Sequence, residues 1–403
     1  MEIFNSDRES ALLNKIQTEF GMEVFTPGLE RSRPLYSSFI QQFKLKDVKI
    51  ITIAGTNGKG QTTHTLGHSL VAAGKNVAWW TSPHILSIKE RFNYLGNDIT
   101  YDELDDLIEQ GIGVIRQLDF KISFYEFLFY VFLNWIENKK LDFIILEVGL
   151  GGRFDAVNHF DAYIVGITSI SRDHQAILGN SYRQILFEKL GVTRSNGVLF
   201  TSFKLQYLIE ATKNFSQAMN INYTNIYPAS DYFKSNQNLV LGILNFLGLS
   251  TLIDGEKVKF KGREESIKVR NLEFQFIGAH NPDGMRETFF RLNKNKINPN
   301  ILLFSFSKRD IADIVAMVKT ITEFTPEKTV LKMSHFEHPK AINLKILEDV
   351  QKMLCHNRNI ELINDWKAYI NELCEAGSRQ KILVLGSYYF IGEIQSYLYS
   401  IAK

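Results

Sequence analysis

The sequence predicts an α/β protein of two domains, a P-loop-containing N-terminal domain on a parallel sheet followed by a smaller, Rossmann-like α/β domain. Three observations point there. Short apolar runs alternate with helical patterns, as expected of parallel strands covered on both faces. The first run, VKIITIAG at 48–55, ends in a glycine turn that opens directly into a helix. Near residue 274 the strand-and-helix rhythm begins afresh, and 403 residues suit two domains at roughly 100–200 residues each.

Taken in order, the helix QTTHTLGHSLVAAG ends near Gly74, as helices commonly do at glycine. NVAWWTSPH reads as a second strand, broken at Pro83. LDFIILEVGLGGR is a third, apolar throughout and finishing in glycines, and AYIVGITSISRDH is a fourth that leads to Asp173 and His174. The second domain opens with LEFQFIGAHNP and continues through NILLFSFSKRD, KTVLKMSHFEHP, IELIND and KILVLGSYYFIGEI, each followed by a helical stretch. Between them DGEKVKFKGREESIKV, residues 254–269, is polar, lysine-rich and glycine-punctuated. It reads as a hinge and sets the boundary near Lys261, with domains 1–261 and 262–403. Ligands of open α/β sheets collect at the carboxyl ends of the strands, so the polar residues after each run are the functional candidates.

Composition narrows the class. A hydrophobic fraction of 45%, a charged fraction of 22% and a net charge of +2 are ordinary for a globular protein and give no reason to invoke nucleic acid or a membrane surface. The cysteines, Cys355 and Cys374, are too few for a disulfide framework and lack metal-site spacing, which fits a reducing compartment. MEIFNSDRES lacks the basic-then-apolar start of a leader. The longest apolar segment, ISFYEFLFYVFLNWI, is interrupted by Glu126 and Asn134 and is too short to span a bilayer. A soluble, cytoplasmic protein is expected.

The chemistry lies in AGTNGKGQTTHTLG. Gly55, Thr56, Asn57, Gly58, Lys59, Gly60 and Gln61 form a glycine loop ahead of a helix N-terminus, whose amides and dipole favour phosphate while the lysine adds a cation. In a GxxxxGK[ST] loop a hydroxyl follows the lysine and holds magnesium; here Gly60 and Gln61 follow instead. Magnesium needs oxygen ligands, so another strand end must provide them. Glu147, closing LDFIILE, stands where acidic residues meet magnesium in nucleotide-binding sheets. A solvated carboxylate and a purely geometric glycine turn are the plain alternatives.

GTNGKG, TSPH, LEVGLGGRFDAVN, TSISRDH, FEKLGVTR, GAHNP and GSYYFIGE occur in an order that closely resembles the folylpolyglutamate synthase and dihydrofolate synthase branch of the Mur ligase superfamily, from about Lys49 to near the C-terminus. The resemblance implies ATP-driven amide formation, in which a dihydropteroate or folate carboxylate attacks the γ-phosphate and the amine of L-glutamate then displaces phosphate from the acyl phosphate. It implies that Ser82, Glu147 and His174 hold magnesium, with room for a second ion. Lys189 of EKLG matches a lysine that many relatives carry as a carbamate. Arg263 of KGR matches an arginine that reaches the phosphates when the domains close. Lys59, Lys189, Arg263 and His280 are the implied catalytic groups. Asn281 and Asp310 are implied on the nucleotide side, Asn238 near adenine, Ser387 and His280 on the glutamate side, and Arg153 and Asp155 with the pterin near the loop after Gly152. The implied partners are small molecules, and a monomer is expected.

The sequence departs from the family in places. Gln61 stands where relatives carry Ser or Thr, Arg172 precedes DH where an apolar residue is usual, and Lys340 replaces an arginine. Ile277 stands before GAHNP where relatives have Asp, a position expected at a strand end facing the triphosphate. Ile277 and Gln61 keep a non-enzymatic nucleotide-binding protein open as an alternative. A muramyl-peptide ligase, which normally carries an extra N-terminal domain, and a plain P-loop NTPase switch are the others.

Overall fold

The computed structural model describes residues 4–118, 121–229, 231–255, 265–354 and 358–401. Arg263, the boundary near Lys261 and Cys355 lie outside the described residues. The chain divides into two compact units, residues 1–258 and 259–403.

The first unit is built on eight strands: β1 (Lys49–Ala54), β2 (Val77–Trp80), β3 (Phe92–Tyr94), β4 (Asn97–Asp98), β5 (Phe143–Glu147), β6 (Ile164–Ile167), β7 (Val198–Thr201) and β8 (Asn222–Asn225). Their order is β4-β3-β2-β5-β1-β6-β7-β8. From β2 to β8 all neighbours are parallel, and β3 and β4 extend one edge antiparallel. β1 lies between β5 and β6, which explains why its sequence is apolar on both faces. Its residues alternate between two cores. Ile50 and Ala54 join Trp80, Ile144 and Leu146 beneath the helices Ser6–Phe20, Arg33–Leu45, Tyr101–Leu118 and Phe124–Ile136. Ile51 and Ile53 join Trp79 and Ile145 beneath Lys59–Ala72 and Tyr232–Phe246.

Phe124–Ile136 is the long apolar segment of the sequence. It is a buried core helix, started by a capping box in which Ser123 and Glu126 each accept from the other's backbone amide. Glu126 is buried with a partner, the Arg31 guanidinium at 3.0 Å. No helix among the described residues is long and apolar enough to cross a membrane.

The second unit carries β9 (Glu265–Val269), β10 (Leu272–Ile277), β11 (Ile301–Phe304), β12 (Val330–Ser334), β13 (Ile360–Ile363) and β14 (Gln380–Leu385), ordered β13-β12-β11-β14-β10-β9. All pairs are parallel except β9 with β10. β9 corrects the hinge expected over 254–269, because its last five residues form an antiparallel edge strand against β10. ESIKV alternates half-buried and exposed side chains, as an edge strand with one solvated face does.

Candidate functional site

β2, β5, β1 and β6 are neighbours in the first sheet, and each delivers its next polar residues to the same carboxyl edge. β1 passes through Gly55–Gly58 into the helix Lys59–Ala72, whose N-cap Gly58 is left-handed (φ 88°, ψ −2°). The residues after β6 hold this loop. Thr56 N donates to Ser169 O at 2.8 Å and Asn57 N to Ser169 Oγ at 3.0 Å. Thr168 Oγ1 donates to Asn57 O at 2.7 Å, and Ser171 N to Thr56 Oγ1 at 3.0 Å. The loop is therefore fixed before any ligand arrives, with the orphan amides of a helix start at its end. Lys59 Nζ donates to Thr56 O at 3.2 Å, folded back over the same loop.

Ser82 follows β2 and Glu147 ends β5, and the parallel pairing of those strands brings them together: Ser82 N donates to Glu147 Oε2 at 3.1 Å. Glu147 is 1% exposed and Ser82 5%. The Ser82 hydroxyl is buried and has no hydrogen-bond partner, an arrangement that suits a hard cation reached by an oxygen lone pair beside a carboxylate. His174 follows β6 in a left-handed backbone conformation (φ 51°, ψ 40°) with its side chain half exposed. Among the described residues no three His, Cys, Asp or Glu side chains could hold a metal by themselves. A cation here would draw on the Ser82 hydroxyl, on ligand phosphate oxygens and on water, as magnesium usually does. Asp173, which the sequence reading named at the end of the fourth strand without giving it a role, is buried beside His174 and accepts from its backbone amide at 3.0 Å. The RDH motif was the available signal.

Lys189 sits on the helix Tyr182–Leu190 with its ammonium group inside the protein, 3% exposed. Burial, and next the Lys59 charge, push its pKa down to about 7, against the opposing carboxylates of Asp173, Glu188 and Asp155. Gly152 makes the close approach to this helix possible. It is left-handed (φ 155°), and a Cβ there would come within 2.9 Å of Glu188 O and 3.3 Å of Lys189 Cα. Arg153 N then donates to Glu188 O at 2.9 Å.

Asp155 and Arg153, both expected with the pterin, are placed differently. Asp155 is buried, and burial pushes its carboxyl up to about 6. One oxygen accepts from Gly149 N (2.9 Å) and Leu150 N (3.0 Å), the other from Tyr125 OH and Val157 N (both 3.1 Å). Its carboxylate thus shapes the glycine-rich loop. Arg153 is exposed and its guanidinium lies over the Phe154 ring at 5.0 Å.

On the helix Tyr232–Phe246 Asn238 is exposed, and Asn236 is the buried asparagine that reaches the loop, against Gly58 and Gln61. No local signal separates the two, since only the rotation of the helix against the loop decides which faces it. In the second unit His280 follows β10, with Nδ1 3.0 Å from Gly278 O and its ring 4.8 Å from that of Tyr388. Asn281 and Asp310 each cap a helix, accepting from Gly284 N (2.8 Å) and Ala312 N (2.9 Å). Ser387 is buried, its hydroxyl 2.7 Å from that of Ser307.

Ile277 overturns the expectation of a residue facing the triphosphate. It is 2% exposed and packed in the apolar cluster that includes Phe304 and Leu385, its partner across the β10–β14 ladder.

The chain is 26% identical over 428 residues to the dihydrofolate synthase/folylpolyglutamate synthase of Bacillus subtilis, covering 94% of this chain and 96% of the relative. The chain is thus similar along nearly its whole length to the folylpolyglutamate synthase and dihydrofolate synthase family. Solved structures of the family share its fold. A bifunctional folylpolyglutamate synthase/dihydrofolate synthase with Mn, AMPPNP and L-glutamate bound superposes with a TM-score of 0.78 at 23% identity, covering 97% of this chain and 98% of that one. Escherichia coli FolC in complex with DHPP and ADP gives 0.79 at 22% identity over 97% of both chains. No family model matches the chain.

Proposed function

We propose that this protein is an ATP-dependent ligase that adds L-glutamate to dihydropteroate, reduced folates or both. The observation that carries the reading is the gathering, at one sheet edge, of a phosphate loop with Lys59, the Ser82–Glu147 pair and the buried Lys189. Full-length similarity to a dihydrofolate synthase/folylpolyglutamate synthase supports the substrate class.

The pteroate or folate carboxylate attacks the γ-phosphorus, the bond to the β–γ bridging oxygen breaks, and ADP leaves. The glutamate nitrogen then attacks the acyl carbon, phosphate departs and the amine proton is lost. The difficulty is that a carboxylate must meet a triphosphate. Loop amides and Lys59, turning from Thr56 O towards the phosphates, offset that repulsion and stabilise the charge of the transferring group. Ser82 and Glu147, with His174, would hold a divalent cation, magnesium in our reading, which supplies further charge neutralisation. His280, Asn281, Asp310, Ser387 and Arg263 are proposed for the nucleotide and glutamate halves of the reaction, and Asn238 for adenine. Asp155 acts on the pterin side by positioning its loop, with Arg153 at the exposed rim. The enzyme is proposed to work as a cytoplasmic monomer.

Lys189 is proposed to carry a carbamate. Carbon dioxide is attacked only by a neutral amine, and a lysine with a pKa of about 7 is half neutral at that pH and largely neutral above it. Activity that depends on bicarbonate should therefore fall as the pH drops below about 7 and hold above it. Lys189→Ala should be inactive, with partial recovery in millimolar short organic acids. Full activity of protein that mass spectrometry shows to carry only the free amine would rule the carbamate out.

The decisive assay supplies purified protein, ATP, magnesium and L-glutamate with each pteridine in turn, and separates products by chain length. Glutamate-dependent phosphate release with extension of at least one pteridine is expected. ATP hydrolysis indifferent to both glutamate and pteridine would overturn the reading.

A further inference from the structure

Gln61 occupies the place where relatives carry Ser or Thr, and its carboxamide points away from solvent, 5% exposed. Its Oε1 accepts from Asn236 Nδ2 at 2.7 Å, a bond that ties the first turn of the Lys59–Ala72 helix to Tyr232–Phe246 across 175 residues of sequence. The same Asn236 amide lies directly against Gly58, so closely that a Cβ on Gly58 would come within 2.8 Å of Asn236 Oδ1 and 2.9 Å of its Cγ. Gly58 is the left-handed residue at which the phosphate loop becomes a helix, and its carbonyl accepts from Thr62 N at 3.0 Å. One amide group thus touches both the turning point of the loop and the residue that anchors that amide.

The other end of Gln61 is also placed. Nε2 is buried without a partner and, with the equally unpartnered Thr65 Oγ1, faces Gly255, at which a Cβ would sit 3.5 Å and 2.9 Å from them. Two bonds hold the chain there: Ile253 N donates to Ser69 Oγ at 2.9 Å and Gln237 Nε2 to Asp254 Oδ1 at 2.9 Å. Gln61 is thereby wedged between the loop side and the segment Ile253–Gly255, and its carboxamide has one orientation that meets Asn236.

We propose that Gln61 is a positioning residue for the nucleotide, holding Asn236 against Gly58 so that the phosphate loop keeps its ligand-ready conformation. A serine or threonine at this position would be too short to reach Asn236 in the same way. The proposal rests on the reading that the loop binds ATP. Neither side chain touches the reacting atoms, so its loss should weaken ATP binding and leave the chemistry at saturation nearly intact.

The test is a double-mutant cycle on ATP affinity, using calorimetry of the full chain with the slowly hydrolysed analogue AMPPNP, together with steady-state kinetics. Gln61→Met keeps length and removes the acceptor; Asn236→Ala removes its partner. Each is expected to raise the Kd for AMPPNP and the KM for ATP about tenfold, the loss of roughly one buried hydrogen bond. The kcat and the KM for glutamate should change less than twofold. The double variant should be no weaker than the worse single one, because the second substitution finds the bond already gone. Gln61→Thr replaces Gln61→Met if the latter does not fold. Unchanged nucleotide affinity in both singles, fully additive losses, or a fall in kcat with KM constant would each overturn the proposal. Because binding is read without turnover, natural protein that binds AMPPNP but ligates no glutamate would instead count against the proposed function.

Discussion

Glu147→Gln is expected to lower kcat by about 10³-fold while leaving the melting temperature within a few degrees of the natural protein's. The two side chains have the same size, so the buried position at the end of β5 is not disturbed. Their hydrogen-bond requirements differ. Ser82 N already demands an acceptor there, so the glutamine carbonyl would take that bond and leave its NH₂ group where the second carboxylate oxygen stood. A cation would then meet donors where it needs a carboxylate oxygen. Activity measured across a magnesium titration checks this: an ordinary rate with ordinary magnesium dependence would remove Glu147 from the metal set.

Ile277→Asp, which would install the residue that the family resemblance implies there, is expected to destabilise the second unit by about 3–5 kcal/mol rather than to adjust nucleotide handling. The side chain lies among Phe304, Leu385 and other apolar groups, and a carboxylate placed there loses its water without gaining a partner. Ile277→Val, which only trims a methylene, should cost about 1 kcal/mol. Chemical denaturation of the three proteins compares them directly. A stable Ile277→Asp protein with altered ATP affinity would show that the position reaches the ligand after all.

Much of the fold was legible because its signals are local. VKIITIAG, LDFIILE and the glycines behind them announce buried strands that end in turns, and β1, β5 and β6 lie where those runs place them. The strand end named Glu147 and the family resemblance named Ser82, and their contact follows from the parallel pairing of β2 and β5. What escaped depends on tertiary phase. In β10 the buried Phe274 and Phe276 alternate with half-buried Glu273 and Gln275, so a period of two assigns Ile277 to the polar face; of the three residues on that face only Ile277 joins the apolar cluster that also includes Met285, Phe289 and Leu385. Asn236 and Asn238 stand two apart on one helix, and which meets Gly58 is set by packing against the Lys59–Ala72 helix. ESIKV resembled a linker because an edge strand needs so few apolar residues. Asp155 looked like a ligand-binding acid, yet its oxygens are taken up by the turns it stabilises.

The order β2-β5-β1-β6 also makes the sheet a ruler. Neighbouring strands stand about 4.8 Å apart, so Ser82, Glu147, the phosphate loop and His174 hang from four consecutive marks that together span about 14 Å. The helices that join these strands can lengthen or shorten without moving a mark, because the spacing belongs to the backbone ladder. A slip of one residue along a single strand, by contrast, would displace its mark by about 3.3 Å and exchange the two cores' side chains. The interior isoleucines of β1, which touch no ligand, are therefore the calibration of the site, and repacking them should alter binding geometry from within.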